Sequence, residues 1–223
     1  MPLARVCSRY TMRLVGLCLL TLALTGPHWG CAPPVLSLSS QADPPGTSYG
    51  TSLDRWSRHG RILSKTEFDT QLVVYATLRA PAFQRAYVDK YLKTYAIVDH
   101  WEKARVEKEQ AEQTQHGLSL FLLTKTHSAS WNDLRLPAGK WRLSLLDGEG
   151  REVQADRVDT LSTRQAVEQT LLGEPTDAFT KLWSVHFPSN ASDGQPFPAP
   201  STRKISLRVA GPLGQTELLW LLQ

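Results

Sequence analysis

Beyond position 31 the chain has neither cysteine nor methionine: its three cysteines are Cys7, Cys18 and Cys31, and its two methionines are Met1 and Met12. No disulfide can form within residues 32–223, so that region must be held by buried apolar surface. Losing both oxidisable sulfur side chains suits an oxidising compartment. Acidic residues are missing from the first 42 positions, where Arg5, Arg9 and Arg13 are the only charged side chains. A long apolar run is missing as well. Leu14 to Thr25 (LVGLCLLTLALT) gives 12 residues, whereas a membrane-spanning helix needs about 20.

A basic segment followed by a short apolar run is the pattern of an export signal. Met12-Arg13 directly before the run offers a second start. Gly26-Pro27-His28-Trp29-Gly30 then breaks the helix and leads to Cys31. This region resembles the lipobox of bacterial lipoproteins, in which a Leu-like residue, a small residue and Gly or Ala precede the cysteine. Gly30-Cys31 matches the last two positions; His28 and Trp29 depart from the first two. The resemblance implies a signal peptide over 1–30 and a lipidated Cys31, with a diacylglyceryl thioether and an N-acyl chain anchoring the protein to a membrane at ~0.8 kcal/mol per buried CH2. Ala32, standing where an aspartate marks retention at the inner membrane, implies the outer membrane.

Removing residues 1–30 takes away three arginines and no acids, so the formal charge falls from +4 to +1. The basic character belongs to the leader, and nucleic-acid binding loses the clustered cations it depends on. Residues 32–52 (APPVLSLSSQADPPGTSYGTS) are rich in Pro, Ser and Gly without periodicity, which predicts a tether over 31–53 with a reach of ~25 Å. One domain then occupies 54–223, with Trp56 and Ile62 expected as its first buried side chains.

Within that domain Thr70 to Leu78 reads as a strand covered on both faces. Pro81 opens a helix whose apolar stripe runs through Phe83, Tyr87, Tyr91, Leu92, Tyr95, Val98 and Trp101. High helical propensity continues to His116 over a charged segment, read as a solvated extension or a partner-contacting arm, with Gly117 as an αL stop. Six more runs have strand character: 118–125, 140–147, 151–159 after the Asp147-Gly148-Glu149-Gly150 turn, 179–187, 205–209 and 218–222. A second, short helix is expected over 162–172. Residues 188–202 read as a mobile Pro-rich loop. The expected fold is α+β, mainly β: an antiparallel sandwich of immunoglobulin-like character with one long and one short helix.

The signatures of several chemistries are absent. Five histidines follow Cys31 (His59, His100, His116, His127 and His186), without an HExxH or HxH pattern; no metal site and no cofactor is predicted. Neither a GxSxG elbow nor a phosphate-binding glycine loop occurs. His127, Ser130 and Asp133 form the best serine–histidine–aspartate grouping, but catalytic triads are usually assembled from separated segments. Of the six tryptophans after the leader, Trp141, Trp183 and Trp220 have core parity and Trp101 lies on the helix stripe. Trp56 and Trp131 remain as possible ligand contacts.

Trp131-Asn132-Asp133-Leu134, Trp141-Arg142-Leu143, the Asp147–Gly150 turn, Val185-His186-Phe187-Pro188 and the closing Gly214–Trp220 segment are similar to a loosely defined group of envelope lipoproteins of unknown function, of deltaproteobacterial type. The resemblance implies a cell-envelope location and no activity. The expected function is a lipid-anchored accessory or scaffold protein that works by binding, not an enzyme. Its expected partners are the membrane and another envelope protein or a glycan. The alternatives are an envelope hydrolase at His127, Ser130 and Asp133, and a glycan- or peptidoglycan-binding module.

Overall fold

Alternation of apolar and polar side chains builds two sheets whose inner rows meet in one core. The computed structural model describes residues 35–38, 43–44, 46–64, 70–112, 114, 117–137, 139–161, 171–173, 177 and 179–223. All belong to the unit Pro34–Gln223, which is separate from Met1–Pro33. In chain order the elements are β1 (Val35–Leu36), α1 (Tyr49–Trp56), β2 (Ser57–Leu63), β3 (Thr70–Leu78), α2 (Pro81–Thr94), α3 (His100–Glu112) and β4 (Gly117–Lys125). They continue with β5 (Arg142–Asp147), β6 (Glu152–Gln154), β7 (Arg157–Thr160), β8 (Thr180–Pro188), β9 (Lys204–Gly211) and β10 (Gly214–Leu222). The first sheet runs β1-β10-β9-β5-β6 and the second β2-β3-β4-β8-β7. Every pairing is antiparallel except β1 with β10.

Leu218, Trp220, Ile205, Leu207, Val209, Leu143 and Leu145 of the first sheet are buried in one cluster with Leu72, Val74, Leu120, Leu122, Trp183 and Val185 of the second. The protein is mainly β and sandwich-like, as expected. The last two strands pair as a hairpin, with Leu207 opposite Leu218 and Ile205 opposite Trp220.

Several elements differ from the sequence reading. The expected single strand over 151–159 is two. Ala155 N–H donates to Leu143 O in the first sheet, and the next residue, Asp156, donates to His186 O in the second. The chain changes sheet between adjacent residues there, which alternation alone cannot reveal. Strand β2 was not expected, because Ser57-Arg58-His59-Gly60-Arg61 has too few apolar residues to show a period.

The tether over 31–53 is not structureless throughout. Leu36 is buried in the core and its carbonyl accepts from Gln223 N–H at 2.7 Å. Ser48 caps α1 by accepting from Thr51 N–H, and Arg55 pairs with Asp43 at 3.2 Å. The loop over 188–202 is likewise packed. Phe197 and Ala199 are buried, and Phe197 N–H donates to Ser189 O at 2.8 Å. The short helix expected over 162–172 lies outside the described residues except at Leu171 and Leu172, both buried.

The expected long helix is two. Ala96 adopts φ 51°, Ile97 N–H reaches back to Leu92 O at 2.9 Å, and Ala96 N–H to Lys93 O at 3.2 Å. These are the paired bonds of a Schellman stop, formed here without glycine. Asp99 then caps α3 by accepting from Glu102 N–H at 2.9 Å, completing an Asp-x-x-Glu start signal that the apolar stripe had masked. Gly117 does not stop a helix; it opens β4 at φ 151°, where a Cβ would lie 2.1 Å from Phe187 O.

A buried carboxylate ties the β5–β6 turn to the 188–202 loop. Asp147 is buried, accepts from the backbone of Glu149 and Arg151 through Oδ1, and receives Arg151 Nε at 2.9 Å and Ala199 N–H at 3.3 Å through Oδ2. Burial pushes its pKa up, but the amides of Arg151, Ala199 and Glu149 and the Arg151 guanidinium outweigh it, so the net shift is downward.

Two stability predictions follow from these contacts. Because glycine tolerates φ > 0 where alanine is strained, Ala96→Gly should raise the unfolding free energy by about 1 kcal/mol, read from urea denaturation. The folded-state pKa of Asp147 lies below its unfolded value of about 3.9. Its contribution is therefore full above that value and is lost as pH falls through the folded one. Asp147→Asn should cost about 2 kcal/mol at pH 7 and flatten the acid limb below about pH 4; an unchanged limb would show the carboxylate does not supply it.

Candidate functional site

Strand β4 ends at Lys125, and the segment that follows carries the serine–histidine–aspartate grouping. Its conformation is set from below by Asn132, which is 1% exposed. The Asn132 amide nitrogen donates to Thr124 O at 3.0 Å and Phe179 O at 2.9 Å. Its amide oxygen accepts from Thr124 Oγ1, which in turn accepts from Trp183 Nε1 at 2.8 Å. Trp141 Nε1 donates to Trp131 O at 2.6 Å, and Leu134 is buried. Core groups therefore fix this loop.

The grouping itself is not joined into a relay. His127 and Ser130 are exposed, and Ser130 Oγ pairs with Ser128 Oγ at 2.9 Å. Both oxygens of Asp133 are engaged by Arg135, at 2.8 Å to Nε and 2.7 Å to Nη2. The Arg135 guanidinium beside it holds the Asp133 carboxyl down to about 2. Asp133 is thus taken up by Arg135, and among the described residues no hydrogen bond joins it to His127. His127 instead lines a groove of about 350 Å³ with Val73, Tyr75 and Leu123 on the outer side of the second sheet.

The two tryptophans expected to meet a ligand have different fates. Trp56 is buried in the core, and its carbonyl accepts from Trp220 Nε1 at 2.9 Å; it offers no surface to a ligand. Its place at the end of α1, a helix not expected from the sequence, is the reason. Trp131 is half-buried with Lys140 Nζ 4.4 Å from its ring, a cation–π contact. His186 pairs with Asp156 at 2.7 Å. His116 and Cys31 lie outside the described residues. Among the described residues, no three His, Cys, Asp or Glu side chains are grouped to hold a metal.

Apolar surface is concentrated at the turn between α2 and α3. Trp101 is 80% exposed and Val98 91%, with Tyr95 also exposed. The stripe reading placed these three in the core; the Schellman stop at Ala96 turns them outward. Helix α3 is otherwise solvated, with Val106 its one buried residue and Arg105–Glu109 paired at 2.7 Å. Gln110 ties it down, accepting from Arg79 Nη2 and from Gln84 Nε2, each at 2.9 Å.

A second apolar area lies on the outer face of the first sheet. Val35 is 51% and Leu219 46% exposed, and Leu221, opposite Val35 in register, is partly exposed. Lys204, opposite Leu221 on the next strand, is exposed. Among the described residues, no helix is long and apolar enough to cross a membrane. Set against models of known protein families, curated proteins and solved structures, the chain matches none of them.

Proposed function

We propose that the chain is a lipid-anchored protein of a bacterial cell envelope, held at the outer membrane through Cys31, that acts by binding as an accessory or scaffold component. The observation that carries the binding role is the α2–α3 turn, where Tyr95, Val98 and Trp101 stand in solvent within seven residues of chain. Exposed aromatic and branched apolar side chains held on a packed base are what interfaces are built from. The base here is firm. The Tyr91 and Tyr95 rings meet at a tilt with centroids 4.5 Å apart, and Gln110 fixes α3 to Arg79 and Gln84. The partner is another envelope protein or a glycan.

The anchor rests on the lipobox-like Gly30-Cys31 and on Cys31 being the last cysteine of the chain. The domain is read as an immunoglobulin-like sandwich on the strength of its antiparallel sheets. A hydrolase at His127, Ser130 and Asp133 draws no support from the geometry, because Arg135 occupies the aspartate.

The intact mass of the mature protein from a detergent-extracted membrane fraction should begin at Cys31 and carry acyl groups, and these should be lost in Cys31→Ser. A soluble, unacylated species cut elsewhere would end the anchor reading. A photo-crosslinker at Val98 should give a discrete product in intact cells that Trp101→Ala diminishes and that a probe at exposed Asp193 does not form. Equal yields from both positions would dispose of the α2–α3 turn as the contact.

A further inference from the structure

We infer that the outer face of β1 and β10 rests on the lipid surface, so that the domain lies against the membrane in one orientation. This rests on the lipidated Cys31 proposed above and adds a geometric constraint to it.

The constraint begins with β1. Val35 and Leu36 pair in parallel with Leu221 and Leu222, Leu36 is buried, and Gln223 N–H closes on Leu36 O at 2.7 Å. Val35 and Leu36 are therefore fixed to the folded unit. Cys31 is four residues upstream. Four residues of extended chain span ~14 Å at most, well short of the ~25 Å reach of a coil over 31–53. A lipid on Cys31 that enters a bilayer must hold Val35 within that distance of the headgroups.

What stands at Val35 suits that neighbourhood. Because strand residues alternate between faces, Val35, Leu219 and Leu221 share the outer side of the first sheet, opposite the buried Leu36, Trp220 and Leu222. Lys204 sits across from Leu221 in register, placing an ammonium at the border of the apolar area, where phosphate headgroups lie. Farther along the face Glu217 accepts from Ser206 Oγ, and Arg208 pairs with Glu152 at 3.6 Å. The apolar end of this face, bordered by Lys204, is the end nearest the anchor.

The orientation has a consequence for the partner. Helix α2 packs on the opposite side of the sandwich: its Tyr87 ring lies 5.3 Å from Phe121, which alternates with the core-facing Leu120 and Leu122 of the second sheet. With the first sheet on lipid, the Tyr95–Trp101 turn is carried on the side away from the membrane.

Leu219→Cys and Glu109→Cys, each the sole free thiol of the mature lipidated chain, are labelled with bimane and reconstituted into phosphatidylethanolamine–phosphatidylglycerol vesicles with brominated acyl chains. Glu109 lies on α3 and serves as the distal position. Bromolipid should quench the 219 label several-fold more strongly than the 109 label. Equal, weak quenching at both positions on an acylated, vesicle-bound protein would overturn the orientation while leaving the anchor intact. A 219 label that is blue-shifted but unquenched would mean that protein covers this face, which also overturns it. A mature chain without acyl groups would remove the anchor and this inference together.

Discussion

One hydrogen bond between residues 164 apart in sequence, Trp220 Nε1 to Trp56 O at 2.9 Å, marks the corner on which the sandwich closes. With no cysteine beyond position 31, no disulfide joins the sheets, and their edges are fastened in other ways. At this edge β2 of the second sheet lies against β10 of the first. Gly60 lacks the Cβ that would come within 2.7 Å of Leu218 Cδ2 and Thr216 Oγ1, and Arg58 Nε donates to Leu219 O at 2.8 Å. At the other edge the chain itself is the fastening, passing from β6 to β7 between Ala155 and Asp156. Fastened at both sides, the inner rows can exclude water along their length, and apolar burial of ~25 cal/mol per Å² can act on the whole core.

Polar groups placed inside this apolar frame decide where the irregular parts go. Asn132 fixes the loop after β4 because leaving its amide unpaired would cost ~1–3 kcal/mol; with Thr124, Phe179 and Trp183 in place, one loop position satisfies it. Arg79, 3% exposed, does the same for the helices: its guanidinium lies 4.4 Å over the Phe121 ring and donates to Gln84 and Gln110. A helix as polar as α3 has little apolar surface with which to dock. Its position is set by Val106 and Gln110, and that position is what holds the Tyr95–Trp101 turn in the open.

Strands with regular alternation were legible in the sequence. Arg142–Asp147 and the closing hairpin appear close to where their alternation put them, and Thr70–Leu78 and Leu118–Lys125, which bury neighbouring residues, appear where their apolar runs put them. What failed was whatever depended on tertiary context. β2 has a polar composition and is a strand because β3 and β10 supply its neighbours. The break at Ala96 was hidden by an apolar stripe that continues, in number, straight through it; only the Asp99-x-x-Glu102 cap pointed to a second helix. The same misreading inverted the candidate surface. Trp101 and Val98 were counted as core and are exposed, whereas Trp56, read both as a first buried side chain and as a possible ligand contact, is buried. Single-residue exposure depends on which helix a side chain belongs to, and the helix boundary was the quantity least visible in the chain.

How far such a domain can act from a membrane depends on where its first fixed residue lies. A coil of some twenty residues would let it sample a volume of radius ~25 Å in any orientation. Pairing of Val35 and Leu36 with the end of β10 removes most of that freedom, since Val35 is already fixed to the sandwich. A lipid on Cys31 would then act on a rigid body through a short link, and orientation would be set by whichever face costs least to bring against headgroups. On this domain the choice is asymmetric. The first sheet's outer face offers Val35, Leu219 and Lys204 next to the short link, while the more exposed Val98 and Trp101 are carried on the far side with the solvated α3 and its Arg105–Glu109 pair, away from the link. A contact surface at the α2–α3 turn would therefore be held at a fixed height above the bilayer, which narrows its partners to molecules present in that layer.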